Sequence, residues 1–407
     1  MENNFKDEMT SNVCFLNSNN GNGLLALGGQ DILVIKHVVS IDDIDKFIDE
    51  RPNKYIFLCL SYDLKNRFES LSSKNRDNSS FPDLVLWCPD CVFDIKKESL
   101  SIIQGTASKD DYKFAIDFIS STTSTHTKDF KVQFEPQISK DVYLDKVNTL
   151  KGRIQRGDIY EINFCQEYLA KGIEKEDIKY CYTNLNSITQ APFSSYFRFG
   201  EFEIFCGSPE RFIKNEAGIL TAEPIKGTSK RGTTSTEDEQ LIHSLKRDPK
   251  ERAENIMIVD LMRNDLSKIA DKGTVNVDEL CEVYTYKTVH QMISKISCKL
   301  KENYSFTDIL KATFPMGSMT GAPKIRAMQL IEEFEDFKRG LYSGSIGYIS
   351  PNGDFDLNVV IRTLIYNSKL KTLSCGVGSA ITIQSDAEKE YEECGIKVQK
   401  ILDGISG

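Results

Sequence analysis

Four glutamates recur as two Glu-x-x-Glu pairs: Glu251 and Glu254 in "PKERAENIMIVDLMRNDL", and Glu390 and Glu393 in "SDAEKEYEECGIKVQK". A helix turns about 100° per residue, so each pair shares one face, and Lys397 falls with Glu390 and Glu393 inside a sector of about 60°. Carboxylates near a helix start also suit the macrodipole, and Ser385-x-x-Glu388 has the form of a capping box. Alone, each pair reads as a solvated helix face. Facing each other beside an anionic substrate, they would make the oxygen-ligand set that Mg²⁺ prefers.

A second constellation joins "GSPERF" to "PIKGTSKRG". Glu210 opens a strand, residues 215–218 turn the chain, and it returns to Lys226. A hairpin centred there opposes Glu210 to Glu223 and leaves Lys226 about 10 Å along the strand, within reach of one substrate ring. Lys226 follows an apolar strand and precedes a glycine. Three readings are open: a solvated loop charge, an anion clamp, or a nucleophile. Arg362, in "VVIRT", reads as an arginine inside an apolar strand, needing an anion from the protein or from a ligand. "FPMGSMTGAPK" lacks phosphate-loop spacing, and its residues 320–323 read instead as a helix N-terminus with free N–H groups. Cys88 and Cys91 form the one Cys-x-x-Cys, half a zinc site at most, and read as structural.

The elements that must position these groups are legible in outline. "SKDVYLDKVNTLKGRIQRG" has helical spacing, with Ser139 to cap it and Gly157 to end it. Further helices are expected at about 236–246, 249–270, 322–335 and 386–403, the second opened by Asp248-Pro249. Short strands fill the segments between, in antiparallel clusters, which is α+β rather than strict βαβ alternation. Residues 1–135 read as a β-rich part of the same large unit, and 136–407 as the catalytic region. A net charge of −9 over 407 residues argues against nucleic-acid or membrane-surface binding. Met1–Glu8 lacks a signal-peptide pattern, and no apolar run is long enough to span a bilayer. Eleven scattered cysteines suit reduced thiols and a cytoplasmic location.

Taken in order, "GDIYEINF", "GSPERF", "PIKGTSKRG", "ERAENIMIVDLMRNDL", "FPMGSMTGAPKIRAM", "GSIGYISPNGDFDLNVVIRT" and "SDAEKEYEECGIKV" resemble the chorismate-utilising enzymes, strongly over about 140–403. The resemblance implies one large α+β fold of two packed antiparallel sheets flanked by helices. It implies Mg²⁺, with Glu254 and Glu393 as direct ligands and Glu251 and Glu390 acting through water. It implies that a chorismate carboxylate meets Arg362, Lys397 and the backbone around Gly378. Glu210 matches the general acid at the C4 hydroxyl and His290 the active-site histidine, with Thr228 and Tyr348 lining the pocket. "Pro-Ile-Lys-Gly-Thr" is similar to the branch that aminates chorismate with ammonia to 4-amino-4-deoxychorismate, on the path to p-aminobenzoate and folate. That resemblance makes Lys226 the nucleophile, its pKa lowered by burial, by Mg²⁺, and by Lys230 and Arg231. The alternatives are the anthranilate-forming branch and a non-catalytic chorismate-binding subunit. Glu161 stands where glutamine is usual, and Ala380 where glycine is usual. Isochorismate-type relatives carry a water-activating lysine at the position of Glu161, so its absence here implies ammonia. No glutaminase is recognisable, which implies a separate glutamine amidotransferase as ammonia donor.

Overall fold

A computed structural model describes residues 12–36, 40–97, 99–122 and 132–406. Met1–Glu8 lies outside the described residues. Alternation organises the sheets. In the strand Val13–Asn17, Cys14 enters one apolar core while Val13 and Phe15 enter another. In Phe202–Ser208, Ile204 and Cys206 likewise oppose Phe205. Neighbouring side chains point to opposite faces of a strand, so each such strand is coated on both sides.

The described strands form an 11-stranded and a 10-stranded sheet, paired antiparallel throughout. The first core joins residues of both sheets, for example Trp87 against Phe197 at 6.0 Å between ring centroids. It extends to the helices Pro249–Ser267 and Phe306–Thr313. The second core lies between the 11-stranded sheet and the helices Lys140–Gln155, Cys181–Thr189, Lys324–Phe334 and Ala387–Ser406. The N-terminal part enters both sheets. Val13–Asn17 pairs with Phe193–Phe199, and Ile56–Leu60 pairs with Ser345–Ile349. All eleven cysteines are free and buried, Cys88 and Cys91 among them. No helix among the described residues is long and apolar enough to cross a membrane.

Local chemistry sets the helix ends. Ser139 accepts a hydrogen bond from the Val142 N–H, and Asp248 accepts from Lys250 and Glu251 just before Pro249. The last helix departs from expectation. The Asp386 carboxylate accepts from the Lys389 N–H, while Ser385 accepts from Thr382. Asp386, not Ser385, is therefore the cap.

Three other readings need correction. Arg362 is not inside a strand. It stands between Phe355–Asn358 of one sheet and Thr363–Asn367 of the other, with φ of 51°. One apolar run here hides a crossing between sheets, and a non-glycine residue in the left-handed region costs about 1–2 kcal/mol. In the Arg211–Glu216/Ile219–Glu223 hairpin, Glu223 is opposed by Arg211 rather than Glu210: Glu216 pairs with Ile219, so the turn falls one residue later than expected, and the register shift between Arg211 and Lys214 takes back only part of that offset. Residues 320–323 are not an open helix N-terminus. Gly321 and Ala322 pair with Ile162 and Glu161, and the Thr320 hydroxyl is buried.

Candidate active site

The long strand Glu161–Lys171 begins where Ala322 pairs with Glu161. From the other sheet, Ile225–Lys230 carries Lys226 toward it, and Lys226 Nζ lies 3.0 Å from Glu161 Oε1. Only 1% of Glu161 is exposed, and its Oε2 has no hydrogen-bond partner. Burial pulls the Lys226 ammonium down, but Glu161, Glu254 and Glu210 outweigh it and hold Lys226 above its ordinary pKa. This reverses the expected direction. Arg231, counted on to repel a proton from Lys226, is instead bound to Asp238.

Glu210 precedes its strand and turns inward, where the Ser318 hydroxyl donates to its Oε1 at 2.7 Å. Burial raises its pKa to about 7, against the opposing pull of Ser318, Lys226 and Arg362. It therefore keeps its proton far longer than a surface glutamate does. The Arg362 guanidinium is within electrostatic reach of Glu210, and burial lowers its pKa. Among the described residues it makes no hydrogen bond or ion pair.

Glu251 and Glu254 come from Pro249–Ser267, and Glu390 and Glu393 from Ala387–Ser406. Both pairs lie within electrostatic reach of the same ammonium, Lys250. Burial lowers the Lys250 ammonium, but Glu254, Glu390, Glu251 and Glu393 together hold it above its usual value. Burial also lifts Glu254 to about 7, and its Oε1 is buried without a hydrogen bond, 3.7 Å from Lys250 Nζ. Glu390 accepts from the Ser379 hydroxyl. Glu393 pairs at 2.7 Å with Lys397, which also donates to the Gly378 carbonyl at 2.9 Å. No three His, Cys, Asp or Glu side chains among the described residues converge closely enough to hold an ion directly. Two backbones are fitted tightly here. Gly227 has φ of +87°, and a Cβ on it would meet Glu251 Oε2 at 3.0 Å. A Cβ on Gly378 would meet Cys165 Sγ at 2.5 Å.

Two expected pocket residues, His290 and Tyr348, lie elsewhere or are turned away. His290 is fully buried, with Nε2 2.9 Å from Asp238 and Nδ1 2.9 Å from Thr285. Both ring nitrogens are occupied by protein, so it offers none to a substrate. The next residue, Gln291, points to the other face and buries an unpartnered Oε1. Thr228 is exposed and paired with Gln291 across the strands. Tyr348 lines a separate cavity of about 670 Å³ with Tyr55, Arg211 and Asp356, away from every glutamate above. Tyr342, in the same stretch, packs on Gly376, two residues from Gly378. Sequence reading missed Ser318 and Lys250 as parts of the site, although both lie in quoted motifs. It flagged Glu161 only as a departure.

The comparisons agree with this architecture. Residues 23–403 match the family described as chorismate binding enzyme. The chain is 36% identical to the chloroplastic aminodeoxychorismate synthase of Arabidopsis thaliana, over 91% of this chain and 42% of that protein. It therefore spans less than half the length of that relative. It is 34% identical to aminodeoxychorismate synthase component 1 of Klebsiella aerogenes, over 84% of this chain and 75% of that one. The crystal structure of anthranilate synthase component I from Streptococcus pneumoniae superposes with a TM-score of 0.75 at 27% identity, covering 96% of this chain and 89% of that one. With the ordered motifs, the two-sheet α+β fold and the match over nearly its full length, the chain belongs to the chorismate binding enzyme family.

Proposed function

We propose that this protein aminates chorismate with ammonia to give 4-amino-4-deoxychorismate, with Lys226 as a covalent nucleophile. The observation that carries the reading is the buried grouping of Lys226, Glu161, Glu210 and an unpaired Arg362. An arginine left without a protein anion in a partly buried site is suited to a substrate carboxylate. Both aminodeoxychorismate synthases compared above bear on the choice of reaction.

Direct attack of ammonia at C4 must contend with a leaving hydroxyl on the same carbon. Attack of the Lys226 amine at C2 shifts the ring double bonds and expels the C4 oxygen. Glu210 supplies its proton, so the oxygen leaves as water. Ammonia then bonds to C4 and the lysine departs, which turns one hard substitution into two easier ones. Lys397, at the Gly378 carbonyl, would hold the second carboxylate together with Arg362.

Mg²⁺ belongs to the same proposal. Four carboxylates lie within electrostatic reach of the Lys250 ammonium, Glu393 pairs also with Lys397, and Glu254 keeps a buried oxygen without a hydrogen bond. That charge suits a divalent cation once Lys250 and Lys397 turn away. Glu254 and Glu393 would bind it directly, and Glu251 and Glu390 through water. The ion would neutralise and orient a substrate carboxylate. A separate glutamine amidotransferase would supply ammonia, and the free thiols suit a cytoplasmic location.

Incubation with chorismate, Mg²⁺ and ammonium tests the proposal. 4-Amino-4-deoxychorismate is the expected product. Anthranilate would favour the activity named for the superposed Streptococcus structure. No turnover with intact chorismate binding would favour a non-catalytic subunit.

A further inference from the structure

We infer that Glu161 is the proton acceptor that frees the Lys226 amine, and that it holds that proton until the lysine departs. The inference rests on the reading of Lys226 as a nucleophile. Its observations are separate. Glu161 is 1% exposed, its Oε1 is 3.0 Å from Lys226 Nζ, and its Oε2 is buried without a partner. It opens the strand Glu161–Lys171 and is fixed there by pairing with Ala322, so the carboxylate is aimed by backbone rather than by a flexible loop.

An amine attacks only when neutral, and Lys226 rests as an ammonium held above its ordinary value. In water an ammonium and a carboxylate differ by about six pKa units, so the charged pair dominates. The transfer needs no base from outside, because the acceptor already sits at hydrogen-bond distance. A glutamine at this place could accept a hydrogen bond from the ammonium but could not take its proton.

The balance closes. A proton moves from Lys226 Nζ to Glu161 Oε1. The N–C2 bond forms and the C4–O bond breaks, with the Glu210 proton leaving in water. Ammonia forms the C4–N bond as N–C2 breaks, and the lysine departs as a neutral amine. Glu161 returns its proton to that amine, and the new C4 ammonium returns one to Glu210.

The test follows the rate at which a chorismate-derived mass appears on Lys226 without ammonia, with Mg²⁺, between about pH 5 and about pH 6, below the pKa of about 7 that burial gives Glu210. In the wild type the proton stays inside the pair, so the rate is expected to be flat with pH. In Glu161→Gln the proton must reach solvent. Its rate is expected to fall tenfold for each unit of pH lowered and to lie about 10²-fold below wild type at pH 6. Glu161→Asp keeps an acid and is expected to keep the flat profile at a reduced rate, and it serves where Glu161→Gln fails to fold. A purely electrostatic role predicts the opposite sign. Removing the carboxylate would ease deprotonation of Lys226 and speed the adduct. A wild-type adduct with a flat or faster Glu161→Gln profile overturns this inference alone. No wild-type adduct at any pH overturns the nucleophile reading as well.

Discussion

Two charged clusters share the strand Ile225–Lys230 and its neighbours, and they are built in opposite ways. Around His290, every main donor has a protein partner: Arg231 and the imidazole both reach Asp238, and Thr285 meets the other ring nitrogen. Around Lys226, Glu161 keeps a bare buried oxygen, Glu254 keeps another, and Arg362 has no anion among the described residues. Buried polar groups are normally satisfied, and unsatisfied ones are costly. The first cluster is complete without a ligand and fixes the fold. The second is incomplete, and the proposed substrate and cation would complete it.

Breaking the incomplete cluster is expected to cost most. If the proposed Mg²⁺ site is right, Glu254→Gln or Glu393→Gln should abolish turnover, because each would remove a charged oxygen from an ion otherwise held by substrate and water. Steady-state rates with and without excess chelator check this, and the wild type should stop in chelator. Glu210→Gln comes next, with kcat falling about 10²–10⁴-fold while chorismate binding holds. Isothermal titration beside kinetics separates the two effects.

The pH profile sharpens the comparison. Glu210 must carry its proton to act as an acid, and its pKa is about 7, so turnover should decline as pH rises through about 7. Ser318 favours the charged form through its hydrogen bond. Ser318→Ala should therefore raise that pKa and move the alkaline limb upward, with a modest change in the plateau. The smallest effect on chemistry is expected from the satisfied cluster. His290→Gln should lower Tm by a few degrees, read by calorimetry, while kcat/KM stays within about tenfold. A loss as deep as that of Glu210→Gln would place His290 in the reaction.

What the sequence made legible follows from periodicity. Helices announce themselves over many residues, so Ser139, Asp248-Pro249 and both Glu-x-x-Glu faces could be read directly. Strand parity is less forgiving. A shift of one residue turns a side chain to the other face, which is why His290 points at Asp238 while Gln291 takes the opposite side. The hairpin turn falls one residue later than the run of turn residues suggested, and the bulge after Arg211 offsets only part of that. Arg362 was hidden differently, since its apolar flanks belong to two sheets and no local pattern marks the crossing. Tyr348 was named from a motif in which position alone did not say which cavity its ring would enter. The Lys226–Glu161 pair joins residues 65 apart in sequence on different sheets, and no spacing rule reaches that far.

The central claim is that Lys226 bonds to the substrate. The most direct test withholds ammonia, adds chorismate and Mg²⁺, and follows the intact protein mass with peptide mapping. The account predicts a gain of chorismate less one water on the peptide holding Lys226, lost on adding ammonium. It also predicts that Lys226→Arg, which keeps the charge but offers no amine, fails as badly as Lys226→Ala. No adduct, together with near wild-type turnover in Lys226→Arg, would contradict it and make Lys226 an electrostatic clamp.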